Sequence, residues 1–313
     1  MIPNSTFRIP NLKMSPKILI LRAPGTNCDV ETAFAFERAG GAPERVHIGR
    51  LLEKPSLADD FQILCIPGGF SYGDDVAAGR ILACQIQNHL QDCLWAFRDA
   101  GKLVLGICNG FQVLIKSGLL LDGSEASHRT PAATLTWNDS GKFEDRWVQL
   151  GVEGTECVFF SGIESMYLPI AHAEGKFVAR DEAALDALQN AGQLVLRYRA
   201  TGAMGSLPAL AERHALSRKG GQAAHGTPRS PGSNGSVPYP DNPNGAQRNV
   251  AGLCDASGRV LGLMPHPERH IDPTHHPRWT RQETLPEVGD GLQVFQNAVR
   301  YFRSSDRRPA AAS

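Results

Sequence analysis

The sequence predicts an α/β fold: an open, mostly parallel sheet with helices on both faces. Three observations carry this. Apolar runs of strand length alternate with helical stripes through residue 118. Turn-forming, glycine-bearing stretches follow the first and third runs. The fourth run ends in a lone cysteine set between glycines, Gly106-Ile107-Cys108-Asn109-Gly110, and an apolar helical stretch follows it to Gly118. In sheets of this kind the ligand crevice lies beyond the carboxyl ends of the strands. The loops Pro24–Asp29, Pro67–Asp75 and Cys108–Gln112 should therefore meet there.

The elements follow in order. Residues 1–15 are polar and proline-punctuated and read as a flexible leader. Lys17–Leu21 is a short apolar strand. The turn Arg22–Asp29 carries helix-capping residues, and the helix after it, with Val30 and Phe34 on one face, stops at Gly40-Gly41. Arg45–Ile48 and Phe61–Ile66 are the second and third strands, the latter closed by Pro67-Gly68-Gly69. A long helix is expected from about Asp75 to Ala100, with Leu82, Ile86, Leu90, Leu94 and Phe97 as its core stripe. Lys102–Ile107 is the fourth strand. From Thr134 to Val178 the pattern shortens to strand-like pieces, among them Trp147–Val152 and Cys157–Phe160. Gln193–Arg199, Val250–Cys254 and Arg259–Leu263 are further strands, and a last amphipathic helix covers roughly Gly289–Phe302. Residues 304–313 read as a flexible tail.

Residues 218–248 hold six glycines and five prolines in 31 positions, a composition of irregular chain rather than of a packed domain. A surface insertion near 200–236 within one domain, 16–303, accounts for it. Lengthening a loop fourfold costs only on the order of 1.2 kcal/mol of closure entropy.

Composition narrows the function. Apolar residues make up 42% of the 313 and charged residues 20%, with formal net charge zero. This is an ordinary globular balance with no general attraction to nucleic acid or to an anionic membrane. No apolar stretch reaches membrane-spanning length. Seven cysteines without CxxC spacing suit free thiols in a reducing cytoplasm.

The strand–cysteine–helix junction matches a nucleophile elbow with sulfur in place of the usual serine oxygen. A buried packing cysteine is the plainer reading of Cys108 taken alone. A thiol nucleophile needs a base and a group to orient that base. His266, directly after an apolar strand, is the candidate base. Glu268, two residues on, can reach the other ring nitrogen. Acyl transfer also needs donors for the developing oxyanion; the backbone N–H groups of Asn109 and Gly69 are placed to supply them. The Gly68-Gly69 loop could instead bind phosphate, but no Gly-Lys-Ser/Thr follows it. His266, His270, His275 and His276 invite a metal reading. Prolines interrupt that segment and no cysteine lies near, so no metal is expected.

Together these stretches resemble class I glutamine amidotransferases. Within that class they resemble the glutaminase subunits of phosphoribosylformylglycinamidine synthases. The resemblance rests on Pro24-Gly25-Thr26-Asn27-Cys28-Asp29, the Pro67–Asp75 loop, and Gly106–Gln112. It continues in Ala171-His172-Ala173-Glu174-Gly175, Asn242-Pro243-Asn244-Gly245 and Pro265–Arg269. It implies a flavodoxin-like sheet and hydrolysis of glutamine to glutamate and ammonia by Cys108, His266 and Glu268. Gly68, Phe70, Gln112 and His172 would lie on the substrate side. It also implies a synthetase subunit that uses ATP and Mg²⁺ and receives the ammonia, with a small bridging subunit and no cofactor in this chain. Ala173 stands where the family usually has glycine, and the 200–236 insertion is absent from the usual short form. Two alternatives differ in class. One is another cysteine hydrolase, peptidase-like or deglycase-like, with His128 as its base. The other is a binding subunit that keeps the fold without the chemistry.

Overall fold

A computed structural model describes residues 15–121, 131–154, 156–201 and 235–304. The leader, the tail, His128 and most of the proline- and glycine-rich stretch lie outside the described residues.

Strand β1 (Lys17–Arg22) leads through a turn into α1 (Asp29–Arg38), then β2 (Ala42–His47), a short α2 (Ile48–Glu53) and β3 (Ile63–Ile66). Helices α3 (Arg80–Gln85) and α4 (Gln91–Asp99) precede β4 (Leu103–Ile107) and α5 (Asn109–Ser117). After β5 (Ala133–Thr136) come β6 (Glu144–Val152), β7 (Ser165–His172), β8 (Lys176–Ala179), α6 (Glu182–Asn190) and β9 (Leu196–Arg199). The chain closes with β10 (Val250–Cys254), β11 (Val260–Leu263) and α7 (Leu292–Ser304).

Nine strands form one sheet in the order β2-β1-β3-β4-β11-β10-β9-β6-β7. The five from β2 to β11 run parallel, and the remaining pairings are antiparallel. Strands β3 and β4 and residues 18–21 of β1 are buried throughout, as strands covered on both faces must be. Helices α1 and α7 pack on each other through Phe36 and Phe295, whose rings meet edge-to-face at 4.9 Å. Helices α3 and α5 form a second packed pair, with α5 lying on β3, β4 and β11. Strands β5 and β8 make a separate ribbon, which packs against α5 through β5. No helix among the described residues is long and apolar enough to cross a membrane.

Val30 and Phe34 share a face of α1, as expected, and it is the solvent face, at 60% and 48% exposure. The buried side of α1 is Asp29, Thr32, Ala33 and Phe36, because α7 and the sheet approach from that side. The long helix starts at Arg80 rather than Asp75, because Tyr72, Gly73, Asp74 and Gly79 all take positive φ and break any earlier turn. It is also not uniform: a π-helical turn, Ile86–Leu90, joins α3 to α4. Positions four apart drift by about 40° per step around an α-helix. The wider π turn takes up that drift, so Leu82, Ile86, Leu90, Leu94 and Phe97 are all buried. Val158–Phe160 form a 3₁₀ turn rather than a strand.

The antiparallel half of the sheet positions the site. The β6–β7 arm, far from β4 in strand order, arcs back over the carboxyl ends of β4 and β11. His266 N donates to Pro169 O at 2.9 Å, and Cys108 Sγ lies 3.7 Å from Ala171 O.

Candidate active site

Cys108 sits between β4 and α5 with φ 52° and ψ −105°. A non-glycine residue at positive φ is strained; here the strain turns Sγ out at the strand end, as an elbow requires. The flanking glycines are demanded by space. A Cβ on Gly110 would stand 1.8 Å from Ile66 O, and one on Gly106 would stand 2.7 Å from Gly110 O. Their absence lets α5 lie directly on the sheet. Cys108 N donates to Leu263 O at 2.8 Å, which fastens the elbow to the strand that delivers His266.

His266 Nδ1 lies 2.6 Å from Glu268 Oε1, and both side chains are buried. The carboxylate fixes the proton on Nδ1 and leaves Nε2, which has no hydrogen-bond partner among the described residues, for a sulfur. Burial alone would push the imidazole down. Glu268 and the adjacent Cys108 and Cys28 outweigh it and hold His266 well above the usual histidine range. The arrangement favours the imidazolium, the form His266 takes once it has accepted the proton of the attacking sulfur.

The amide N–H groups of Asn109 and Gly69 engage no acceptor among the described residues, whereas Phe70 N–H is committed to Gly25 O at 3.0 Å. Gly69 holds φ 127°, and a Cβ there would meet Asn27 N at 2.6 Å. The Asn109 side chain ties the 71–79 loop to the elbow. Its Nδ2 donates to Asp74 Oδ1 and Gln112 Oε1, both at 3.0 Å, and its Oδ1 accepts from Ser71 N. Glu174 accepts from Ala78 N, and Lys116 Nζ donates to Ala78 O.

The residues expected on the substrate side divide. Phe70 is half-exposed at the rim, 6.4 Å from the Phe143 ring. Gly68 packs against the dyad: a Cβ there would stand 2.8 Å from His266 Cε1. Gln112 has both ends of its amide engaged, Oε1 by Asn109 and Nε2 by Glu174 O. Each end keeps one further site, a second N–H on Nε2 and a second lone pair on Oε1, for a contact to glutamine. His172 is buried, with Nδ1 3.2 Å from Asn138 Oδ1 and Nε2 unpartnered. Burial, with the charge of His266 adding to it, lowers its pKa to about 3. Ala173 needs no glycine: its φ is not positive, and its carbonyl accepts from Asn138 N at 2.8 Å.

Sequence reasoning gave no role to four neighbours of the site: Cys28, Glu31, Tyr198 and Arg269. Cys28 lies beside His266, where Arg269 Nη2 donates to its Sγ at 3.2 Å; only its place in a crevice-facing turn hinted at this. Tyr198, fully buried, accepts from Asn244 Nδ2 at 3.0 Å, and Cys108 is near enough to add to the burial that raises its pKa. No local signal marks it. Ligating atoms of Cys28, Glu31, His266 and Glu268 lie within 4.8 Å of one another. The cation against that group is the protein's own Arg269, whose Nε also donates to Glu31 at 2.9 Å. His270 and His276 pack their rings with Trp147 and Tyr167.

A thiol on a strand-end elbow with a His–Glu dyad on the adjacent strand is the arrangement of a cysteine-dependent acyl-transfer enzyme. Accordingly, the family model described as the CobB/CobQ-like glutamine amidotransferase domain matches residues 15–207 and 229–302, and the chain belongs to that family. Among curated relatives, phosphoribosylformylglycinamidine synthase subunit PurQ of Dehalococcoides mccartyi is 43% identical over 92% of this chain and 98% of its own length. The subunit of the same name from Methanococcus maripaludis is 37% identical over 93% and 99%. Among solved structures, PurLQS from Thermotoga maritima contains a chain 30% identical to this one, with a TM-score of 0.61 over 92% of this chain and all of that one.

Proposed function

We propose that this chain is the glutaminase subunit of a phosphoribosylformylglycinamidine synthase, acting in purine biosynthesis. The observation that carries it is the strained Cys108 elbow facing the buried His266–Glu268 pair, on a chain similar along nearly its whole length to subunits of that name. Cys108 Sγ attacks the glutamine carboxamide carbon. The amides of Asn109 and Gly69 receive the oxyanion. His266 hands its proton to the leaving nitrogen, so ammonia departs and a thioester remains. Water, deprotonated by His266, then cleaves the thioester to glutamate and the free thiol. Glu268 orients the imidazole and balances its charge throughout.

The ammonia passes to a synthetase subunit, which binds ATP and Mg²⁺ and amidates formylglycinamide ribonucleotide; a small bridging subunit completes the assembly. This chain itself needs no cofactor. Its free cysteines suit the cytoplasm. The test uses the assembled complex. Cys108→Ala should abolish product formation from glutamine and leave synthesis from added ammonia intact, because only ammonia release uses the thiol. Equal loss of both activities would refute the division of labour.

A further inference from the structure

Cys28 is 1% exposed and Cys108 5% exposed. A Cβ built on Gly68 would stand 3.1 Å from Cys28 Sγ and 3.5 Å from Cys108 Cβ. The two cysteines thus lie against the same face of Gly68, and they come this near only because residue 68 has no side chain. The His266 ring borders it as well, with Cε1 2.8 Å from the same point. On its far side Cys28 meets the Arg269 guanidinium at 3.2 Å, and Glu31 holds that guanidinium in place at 2.9 Å. A cysteine kept only for packing needs neither a base nor a cation. Cys28 has both within reach, next to a thiol proposed as a nucleophile.

We propose that Cys28 is the resolving thiol for Cys108, so that a hydroperoxide converts the pair into a disulfide that switches the site off reversibly. The inference rests on the reading of Cys108 as the nucleophile. In the first step Cys108 sulfur attacks one peroxide oxygen. The O–O bond breaks, the sulfur is oxidised to sulfenic acid and the peroxide is reduced, leaving as water once protonated. In the second step Cys28 sulfur attacks Cys108 sulfur. The S–S bond forms, the S–O bond breaks, and hydroxide leaves with the proton that Cys28 gives up through His266. Two thiols and one peroxide yield one disulfide and two waters. Burial raises the pKa of Cys28, against the pull of His266 and Arg269. Cys28 therefore waits as a thiol until Cys108 is oxidised and the imidazole is free to take its proton. The Arg269 charge favours the sulfur anion formed at that moment. The disulfide would form across the face of Gly68 and remove the nucleophile. It would also protect Cys108 from the irreversible sulfinic and sulfonic states, and a dithiol reductant restores both thiols.

The experiment treats the full chain with a few equivalents of hydrogen peroxide, blocks remaining thiols with an alkylating agent under denaturing conditions, and maps tryptic peptides without reduction. Peptides 23–38 and 103–116 each carry one cysteine. The expected result is their cross-linked product, loss of glutaminase activity in the complex, and recovery with dithiothreitol. In Cys28→Ser and Cys28→Ala, read against each variant's own starting activity, recovery should fall at least severalfold, and Cys108 should accumulate as sulfinic acid. Cys108 over-oxidised beside an unmodified Cys28 in the wild-type chain would overturn the proposal, as would equal recovery in the Cys28 variants. The cross-linked peptide is read without any activity assay. Its absence therefore refutes the resolving thiol even if Cys108→Ala behaves as a nucleophile variant should.

Discussion

His266 and His172 are buried close together and are pushed in opposite directions. His266 is held well above the usual range, despite burial, by Glu268 and the thiols. Its contribution to stability is present below the unfolded-state value near 6.5 and is lost as pH rises through its raised folded value. Among the described residues His172 has no carboxylate partner: its Nδ1–H is spent on Asn138, and burial lowers its pKa to about 3. Below about pH 6.5 the unfolded chain binds a proton at this residue that the folded chain refuses, so stability drains as pH falls from there towards 3. Urea unfolding of the wild type and of His172→Gln between pH 7 and 4 should expose this. The wild-type stability should fall more steeply below pH 6, by a difference approaching about 1.4 kcal/mol per pH unit. Parallel curves would mean that His172 takes up protons freely in the folded protein.

At the scale of elements, two glycines near Cys108 should fail in different ways. Gly110 lets α5 approach β3, and its alanine Cβ would meet the Ile66 carbonyl, a backbone atom with nowhere to go. Gly110→Ala should therefore lower the melting temperature, by about 1–3 kcal/mol of overpacking or more. Gly68 sits in a loop, and its Cβ would meet side-chain atoms of His266 and Cys28 instead. Gly68→Ala should leave the melting temperature near wild type and cut glutamine-dependent turnover at least tenfold by turning the imidazole away. Calorimetry alongside glutamate release separates the two, and a stability loss at Gly68 matching that at Gly110 would contradict the assignment. The elbow and the His-Pro-Glu turn are legible in sequence because each is local: only Pro267 separates His266 from Glu268. The break in the long helix was not legible, because the apolar stripe reads the same through an α- or a π-turn.

At the scale of the molecule, the described chain stops at Thr201 and resumes at Gly235. Both ends are tied down, Thr201 N to Asp241 at 2.9 Å and Gly235 O to Asn249 Nδ2 at 3.2 Å. The family model likewise stops at 207 and resumes at 229. The composition between offers little apolar surface to bury. Deleting 204–234 and closing with a short Gly/Ser link should leave the melting temperature within a few degrees of wild type, while a fall of ten degrees or more would show that the segment packs on the body. Gly235 and Ser236 are best kept, because Asn249 uses the backbone there.

By itself the sequence determined the alternation of strand and helix, the nucleophile elbow, and the pairing of His266 with Glu268. Each is written in contiguous residues, where periodicity, close glycines and short separation act directly on the backbone. Only the tertiary structure decided which face of α1 is buried, that both ends of the Gln112 amide are already engaged, and that the β6–β7 arm arcs back over Cys108 and His266. It alone set Cys28 beside a histidine 238 positions away in the chain. These outcomes depend on which distant segments meet. That is settled by burying the whole apolar surface at once, and no local pattern encodes it.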